Sequence, residues 1–164
     1  MKNNSNENLR VKYFEISPNI FELKFKKEQV NNISCFTINS EVTQEEKFFK
    51  YSSLGYYGHV VLEIKPHSDQ ALILFENTLK PDILPKETII DILEGIHEYF
   101  QKLYSDGKII VGLKVKLIDS LYHPIDSVPK ARIFPHKIAA YQALELAFQK
   151  LNLIESSEYN LNQE

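Results

Sequence analysis

The chain has 164 residues, a net charge of −3, 43% hydrophobic and 25% charged residues. That is enough for one domain with its own core, and the acidic balance excludes nucleic-acid binding by overall charge alone. Cys35 is the only cysteine, which excludes an internal disulfide and a zinc site built on two or four cysteines.

No apolar run approaches the roughly 20 residues that span a bilayer, and the opening MKNNSNENLR lacks the apolar stretch of a secretory signal. The expectation is a reduced, cytoplasmic, single-domain protein with no membrane partner. Residues 1–9 are polar and Asn-rich and read as a disordered tail. IFELKFK (20–26) then alternates, with Phe21, Leu23 and Phe25 on one side and charges on the other, as a half-buried strand does. ISCFTIN (33–39) is a second strand after an Asn31-Asn32 turn, and EKFFKY (46–51) a further short one. In GHVVLEIKP (58–66), Val60, Leu62 and Ile64 alternate against His59, Val61, Glu63 and Lys65, and Pro66 ends the strand. His59 therefore faces outward, and its role reads as structural. ALILFEN (71–77) is another strand.

Pro85 suits the first position of a helix, where its missing N–H costs nothing. Ile89, Leu93, Ile96, Phe100 and Leu103 form one apolar stripe that stops near Asp106-Gly107. Gly95 inside this helix costs up to ~1 kcal/mol relative to Ala, and close approach of a neighbouring element would account for it. IIVGLKVKLID (109–119) alternates throughout, with Ile109, Val111, Leu113, Val115 and Leu117 on one face. A second helix starts at Pro135, with Ile138, Tyr141, Leu144, Phe148 and Leu151 as its buried stripe. Residues 153–164 read as a tail, leaving 10–152 as the domain. The order predicts an α+β fold: a two-layer sandwich with both helices on one face of a mixed sheet of four or five strands.

The connection LIDSLYHPIDSVPK (117–130) carries more chemistry than a turn requires. It sets Tyr122-His123-Pro124 between two Asp-Ser pairs. His123 can stack on or hydrogen-bond to an unpaired base, or be a solvated loop histidine. Asp126-Ser127 is expected to cap a following helical turn. Ser127, His123 and Asp126 lie too close in sequence to face one another as a catalytic relay. Six cations and two carboxylates between residues 108 and 137 give a local +4. Lys114, Lys116, Lys130 and Arg132 within it form either a phosphate-facing patch or scattered solvated charges. Tyr56-Tyr57 is a stacking platform or strand packing. His67, His97 and His136 show no metal-ligand spacing, and Cys35 reads as a small buried hydrophobe.

YYGHVVLEIKP, LPKETIIDILEGI, SDG and LIDSLYHPIDS, in that order and spacing, resemble domain IV of bacterial elongation factor G and of the related tetracycline-resistance ribosomal protection proteins. The match runs from about Tyr56 to Phe148. Gly95, Gly107, Tyr122, His123, Asp126 and Ser127 are in register, without a gap from Pro85 to Asp126. The resemblance implies a split β-α-β unit related in fold to a small-subunit ribosomal protein, with a left-handed crossover where the general rule favours the right hand. It implies a finger whose tip enters the decoding site and touches ribosomal, messenger or transfer RNA. The tip loop, 119–132, is then expected to bind the ribosome or a structured RNA. Its contacts would be Tyr122, His123, Asp126 and Ser127, aided by Lys114, Lys116, Lys130 and Arg132, with no catalytic residue, metal or cofactor.

Departures from the family pattern give the alternative. The sequence has no phosphate-binding loop, so no GTPase is expected, and Met1 with polar ends suggests a complete product. Leu54 stands where the family has an Arg, Ser52 and Ser53 replace glycines, and the path after Ser127 is longer. These favour a protein–protein interaction module that kept the fold and lost RNA binding. A small enzyme on the same fold ranks last, because no cofactor motif or acid–base pair is visible.

Overall fold

A computed structural model describes residues 11–25, 33–51, 53–69 and 73–156. The expected tail at 1–9, the Asn31-Asn32 turn and the start of the strand at Ala71 lie outside the described residues. The elements in chain order are β1 (Val11–Ser17), β2 (Ile20–Phe25), β3 (Ser34–Ile38), β4 (Val42–Tyr51), β5 (Gly55–Pro66), β6 (Ile73–Asn77), α1 (Lys86–Ser105), β7 (Lys108–Ile110), β8 (Leu113–Asp119), α2 (Pro135–Lys150) and β9 (Leu153–Glu155).

The strands form a mixed six-stranded sheet, ordered β1-β2-β6-β8-β5-β4, and a three-stranded sheet, ordered β7-β3-β9. The α+β sandwich is as expected, with more strands than the four or five foreseen. The parallel pair β6 and β8 is joined through α1. These two strands are direct hydrogen-bonded neighbours, so no strand stands between them as a split unit would have it. Alternation sorts the faces. Leu62 and Ile64 of β5, Ile73 and Phe75 of β6, and Val115 and Leu117 of β8 are fully buried. Each such side chain contributes about 1.5–3 kcal/mol relative to remaining exposed. The opposite face of these strands carries Glu63, Lys65, Glu76, Lys114 and Lys116. α2 lies on β4 and β5, and α1 lies on α2 and reaches β1 and β7.

Several local expectations change. The run 109–119 is not one strand: Gly112, at φ 69°, turns the chain between β7 and β8, which belong to different sheets. A left-handed residue breaks a strand without disturbing the apolar alternation, so the pattern conceals it. β1 was not foreseen, and α1 holds its edge through side chains. Gln101 accepts the Val11 N–H at 2.6 Å, His97 donates to the Val11 carbonyl, and Glu94 accepts the Tyr13 hydroxyl. β4 is ten residues long rather than six. Leu153–Glu155, placed in a tail by the sequence, pairs with β3 as β9. Cys35 is buried as expected, and burial pushes its thiol up to about 11.

α1 buries Leu93, Ile96 and Phe100 of its expected stripe together with Ile92, Tyr99 and Tyr104, while Ile89 and Leu103 are half-buried; Pro85 is its N-cap rather than its first residue, and Asp106 its C-cap. α2 buries Leu144, Phe148 and its C-cap Leu151 as expected, but Ala139, Ala140, Ala143 and Ala147 supply the rest of its face, while Ile138 and Tyr141 flank it half-buried. Small residues let the two helices approach. A Cβ at Gly95 would lie 2.3 Å from the Lys137 carbonyl oxygen and 3.1 Å from the Ala140 Cβ. Gly95→Ala should therefore lower stability by about 1–3 kcal/mol in urea unfolding, despite alanine's better helix propensity. A variant as stable as the parent would rule out this close crossing.

Candidate functional site

β5 is twelve residues long, but β8 pairs only with its Val61–Pro66 part. Buried carbonyls need partners, and beyond Asp119 the connection to α2 supplies them from side chains. The Ser120 hydroxyl donates to the His59 carbonyl. The Ser127 hydroxyl donates to the Tyr57 carbonyl at 2.7 Å, and Lys130 Nζ to the Gly55 carbonyl at 2.9 Å. The Tyr57 N–H donates to the Asp126 carbonyl at 2.9 Å. The loop thus runs antiparallel along the free half of β5, stitched at alternate residues.

Two buried histidines hold the peptide groups of Leu121. Its N–H donates to His59 Nδ1 at 2.9 Å, and its carbonyl accepts from His136 Nε2 at 2.9 Å. With Nδ1 accepting, the His59 proton sits on Nε2 and is donated to Glu45 Oε2 at 2.8 Å. That hydrogen bond holds the Glu45 carboxyl below its ordinary range. His59 is buried beneath the loop rather than facing outward. Burial pushes His136 down to about 4, against the opposing pull of its bond to Leu121, and His136 Nδ1 has no partner among the described residues. Tyr122 lies against the His136 ring, with centroids 6.1 Å apart.

Within the loop, the His123 N–H donates to Ser127 Oγ at 2.9 Å, and His123 Nδ1 accepts the Asp126 N–H at 3.0 Å. Ser127 therefore ties back to His123, four residues earlier, and to β5 instead of capping a following turn, because its hydroxyl is already committed on both sides. No Ser-His-Asp relay forms, since the Ser127 hydroxyl donates to Tyr57. His123 Nε2 is the ring nitrogen left for an external partner, on a half-exposed side chain. Lys130 and Ile133 exchange backbone hydrogen bonds of 3.2 and 2.9 Å around Ala131 and Arg132, whose φ values are 52° and 63°. Left-handed backbone costs an L-residue roughly 1–2 kcal/mol, and this turn leaves Arg132 exposed. Arg132 also borders an open groove of about 410 Å³ lined by Glu98, Phe134, Lys137, Tyr141 and Glu145.

Sequence counting overstated the basic patch. Lys114 pairs with Glu76 at 3.0 Å, Lys137 with Glu98 at 2.7 Å, and Lys130 is spent on Gly55 and lies 3.9 Å from Asp126. Among the described residues, Lys116 and Arg132 have no carboxylate within ion-pair distance. Tyr122, His123, Asp126, Ser127, Lys130 and Arg132 come together in the loop. Lys114 and Lys116 lie on the helix-free sheet face, where Lys116 stands opposite Glu63 and Glu76. Sequence reasoning missed the apolar display around the loop: Leu121 is 53% and Ile125 69% exposed. It also missed Phe49 and Tyr51, which join Tyr57 at the turn end of the β4–β5 hairpin. The Phe49 ring lies 4.4 Å from Tyr51 and 6.3 Å from Tyr57, centroid to centroid. The hairpin register, Phe49 opposite Tyr57, would have revealed it.

The family profile described as "Elongation factor G, domain IV" matches residues 29–150. An elongation factor G from Fervidobacterium nodosum is 36% identical over 117 residues, which is 71% of this chain but 16% of that protein. A crystal structure of a protein from Thermus thermophilus superposes with a TM-score of 0.55 at 27% identity, covering 80% of this chain and 18% of that one. The chain thus spans less than a fifth of the length of these relatives.

Two outcomes test the loop's anchoring. The unfolded chain protonates His136 near its ordinary pKa of about 6.5, whereas the folded chain resists until about 4. Stability should therefore fall as pH drops through that window, by on the order of 3 kcal/mol, and level off below it. His136→Gln keeps a donor for Leu121 but cannot titrate, so its urea stability should change less between pH 7 and pH 4; an equal loss would place the acid sensitivity elsewhere. Ser127→Ala strands the buried Tyr57 carbonyl and the His123 N–H, and should cost about 1–3 kcal/mol. It should also broaden the amide resonances of residues 121–130, and unchanged spectra would show that the hydroxyl is not a staple.

Proposed function

This chain belongs to the elongation factor G domain IV family, and from that membership we propose a non-catalytic role in translation, in which it binds the ribosome or a structured RNA through the tip loop, 119–132. The observation that carries this reading is the loop's division of labour. Ser120, Ser127, Lys130 and the two buried histidines hold it on β5, while His123 Nε2 and Arg132 are left to an outside partner. A loop fixed in advance loses little conformational freedom on binding.

The residues then take distinct parts. His123 stacks on or hydrogen-bonds to an unpaired base, and Arg132 and Lys116 meet phosphates. Tyr122 braces the loop from inside, and Asp126, Ser127 and Lys130 fix its shape. Lys114, neutralised by Glu76, adds little. The functional unit is the domain from β1 through β9, working in the cytoplasm. Exposed Leu121, Ile125 and Val128 support a second reading, in which the same loop docks on a protein.

Co-sedimentation with purified ribosomes tests the proposal, beside a His123→Asn, Arg132→Ala variant. Asn retains an acceptor for the Asp126 N–H. The parent should pellet with ribosomes, and its affinity should fall about tenfold between roughly 50 and 200 mM salt if two cations displace counterions. The variant should bind at least about fivefold more weakly. A folded parent that stays in the supernatant at low salt would overturn the RNA reading in favour of a protein partner.

A further inference from the structure

We propose that Phe49, Tyr51 and Tyr57 form a stacking platform for the bases of an unpaired RNA segment beside the tip loop. This rests on the RNA-binding reading above, but it concerns other residues and a narrower ligand.

Phe49 and Tyr51 alternate along β4 and so share one face of the sheet, and Phe49 stands opposite Tyr57 on β5. The rings are nearly perpendicular, at 82° for Phe49–Tyr51 and 85° for Phe49–Tyr57. Edge-to-face contact fixes the rings without burying them: Phe49 remains 55% and Tyr51 71% exposed. Among the described residues, β4 is the outer strand of its sheet.

Charge selects the occupant. Lys47 precedes the rings on the same face and is exposed, whereas Lys50 projects from the opposite face of β4. Exposed rings with an ammonium group beside them suit a strand whose bases stack while a neighbouring phosphate meets the cation. A duplex hides its base faces, so the ligand is unpaired. A purely apolar protein partner has no use for Lys47. The platform is also continuous with the tip loop, because Tyr57 donates its N–H to the Asp126 carbonyl and accepts the Ser127 hydroxyl.

The test is fluorescence anisotropy of the full chain with a short labelled oligouridylate and with a labelled RNA hairpin of equal length. The comparison is a Phe49→Leu, Tyr51→Leu variant and a Tyr51→Phe variant. Both positions are exposed, so the folds should survive, which a thermal melt checks. The double leucine variant should bind the unpaired strand roughly tenfold or more weakly, while Tyr51→Phe keeps parental affinity. Hairpin binding should change less than single-strand binding in the leucine variant. Equal affinity of parent and leucine variant for the oligouridylate overturns the platform. So does a parent that self-associates in sedimentation when the leucine variant does not, since the rings then seal an interface between copies. A parent that ignores the oligouridylate but pellets with ribosomes overturns the platform and leaves the tip-loop reading standing. Ring-dependent oligouridylate binding without ribosome pelleting supports the platform and removes the ribosome as the partner.

Discussion

Three carbonyl groups of β5 set the terms for the rest of the molecule. Gly55, Tyr57 and His59 lie beyond the reach of β8, and each must find a donor when the loop and α2 fold against it. Lys130, Ser127 and Ser120 answer in reverse order along the chain. This places the loop as a substitute for a missing stretch of strand, with side chains in place of backbone amides. The start of α2 follows from it. A Cβ at Gly58 would lie 2.2 Å from the Pro135 carbonyl oxygen, so the helix begins directly on the strand, and His136 reaches Leu121 from its first turn.

Periodic patterns were legible wherever burial alone decides position. The apolar stripe of α1 and the alternation of β5, β6 and β8 needed no tertiary knowledge, and Gly95 announced the helix crossing through its misfit. The failures share a different physics. β1 is an outer strand held by Gln101, His97 and Glu94, which lie 81 to 90 residues away, so its own pattern carried little signal. Leu144, Phe148 and Leu151 of α2 were legible, but its alanines were missed because a close helix contact favours alanine, which hydrophobic reading ranks below Ile138 and Tyr141. Ser120 and Ser127 read as local turn or cap residues, whereas their acceptors lie 61 and 70 positions earlier.

The same limit applies to charge. A local count of lysines says nothing about which carboxylates the fold delivers beside them. The helix-free sheet face alternates Lys24, Lys65, Lys114 and Lys116 with Glu22, Glu63 and Glu76, and the pairs Lys65–Glu63 and Lys114–Glu76 close at 3.2 and 3.0 Å. Exposed pairs of this kind add little stability, but they cancel the field that would draw a polyanion. Recognition of RNA by this surface would then depend less on long-range attraction than on short-range contacts.

That shifts weight onto rigidity. The residues that hold the loop and those that face outward are interleaved in sequence: Ser120 inward, Leu121 outward, Tyr122 inward, His123 outward, Ser127 inward, Arg132 outward. From Ser120 to His123 the alternation is that of a strand lying along β5, and at 124–127 the chain coils into a turn closed by the Ser127 N–H on the His123 carbonyl. A loop tied to β5 through Ser120, Ser127 and Lys130 holds its outward groups in a defined geometry. A surface with few unpaired cations gains specificity mainly from such fixed positions, because each contact then carries little further ordering cost.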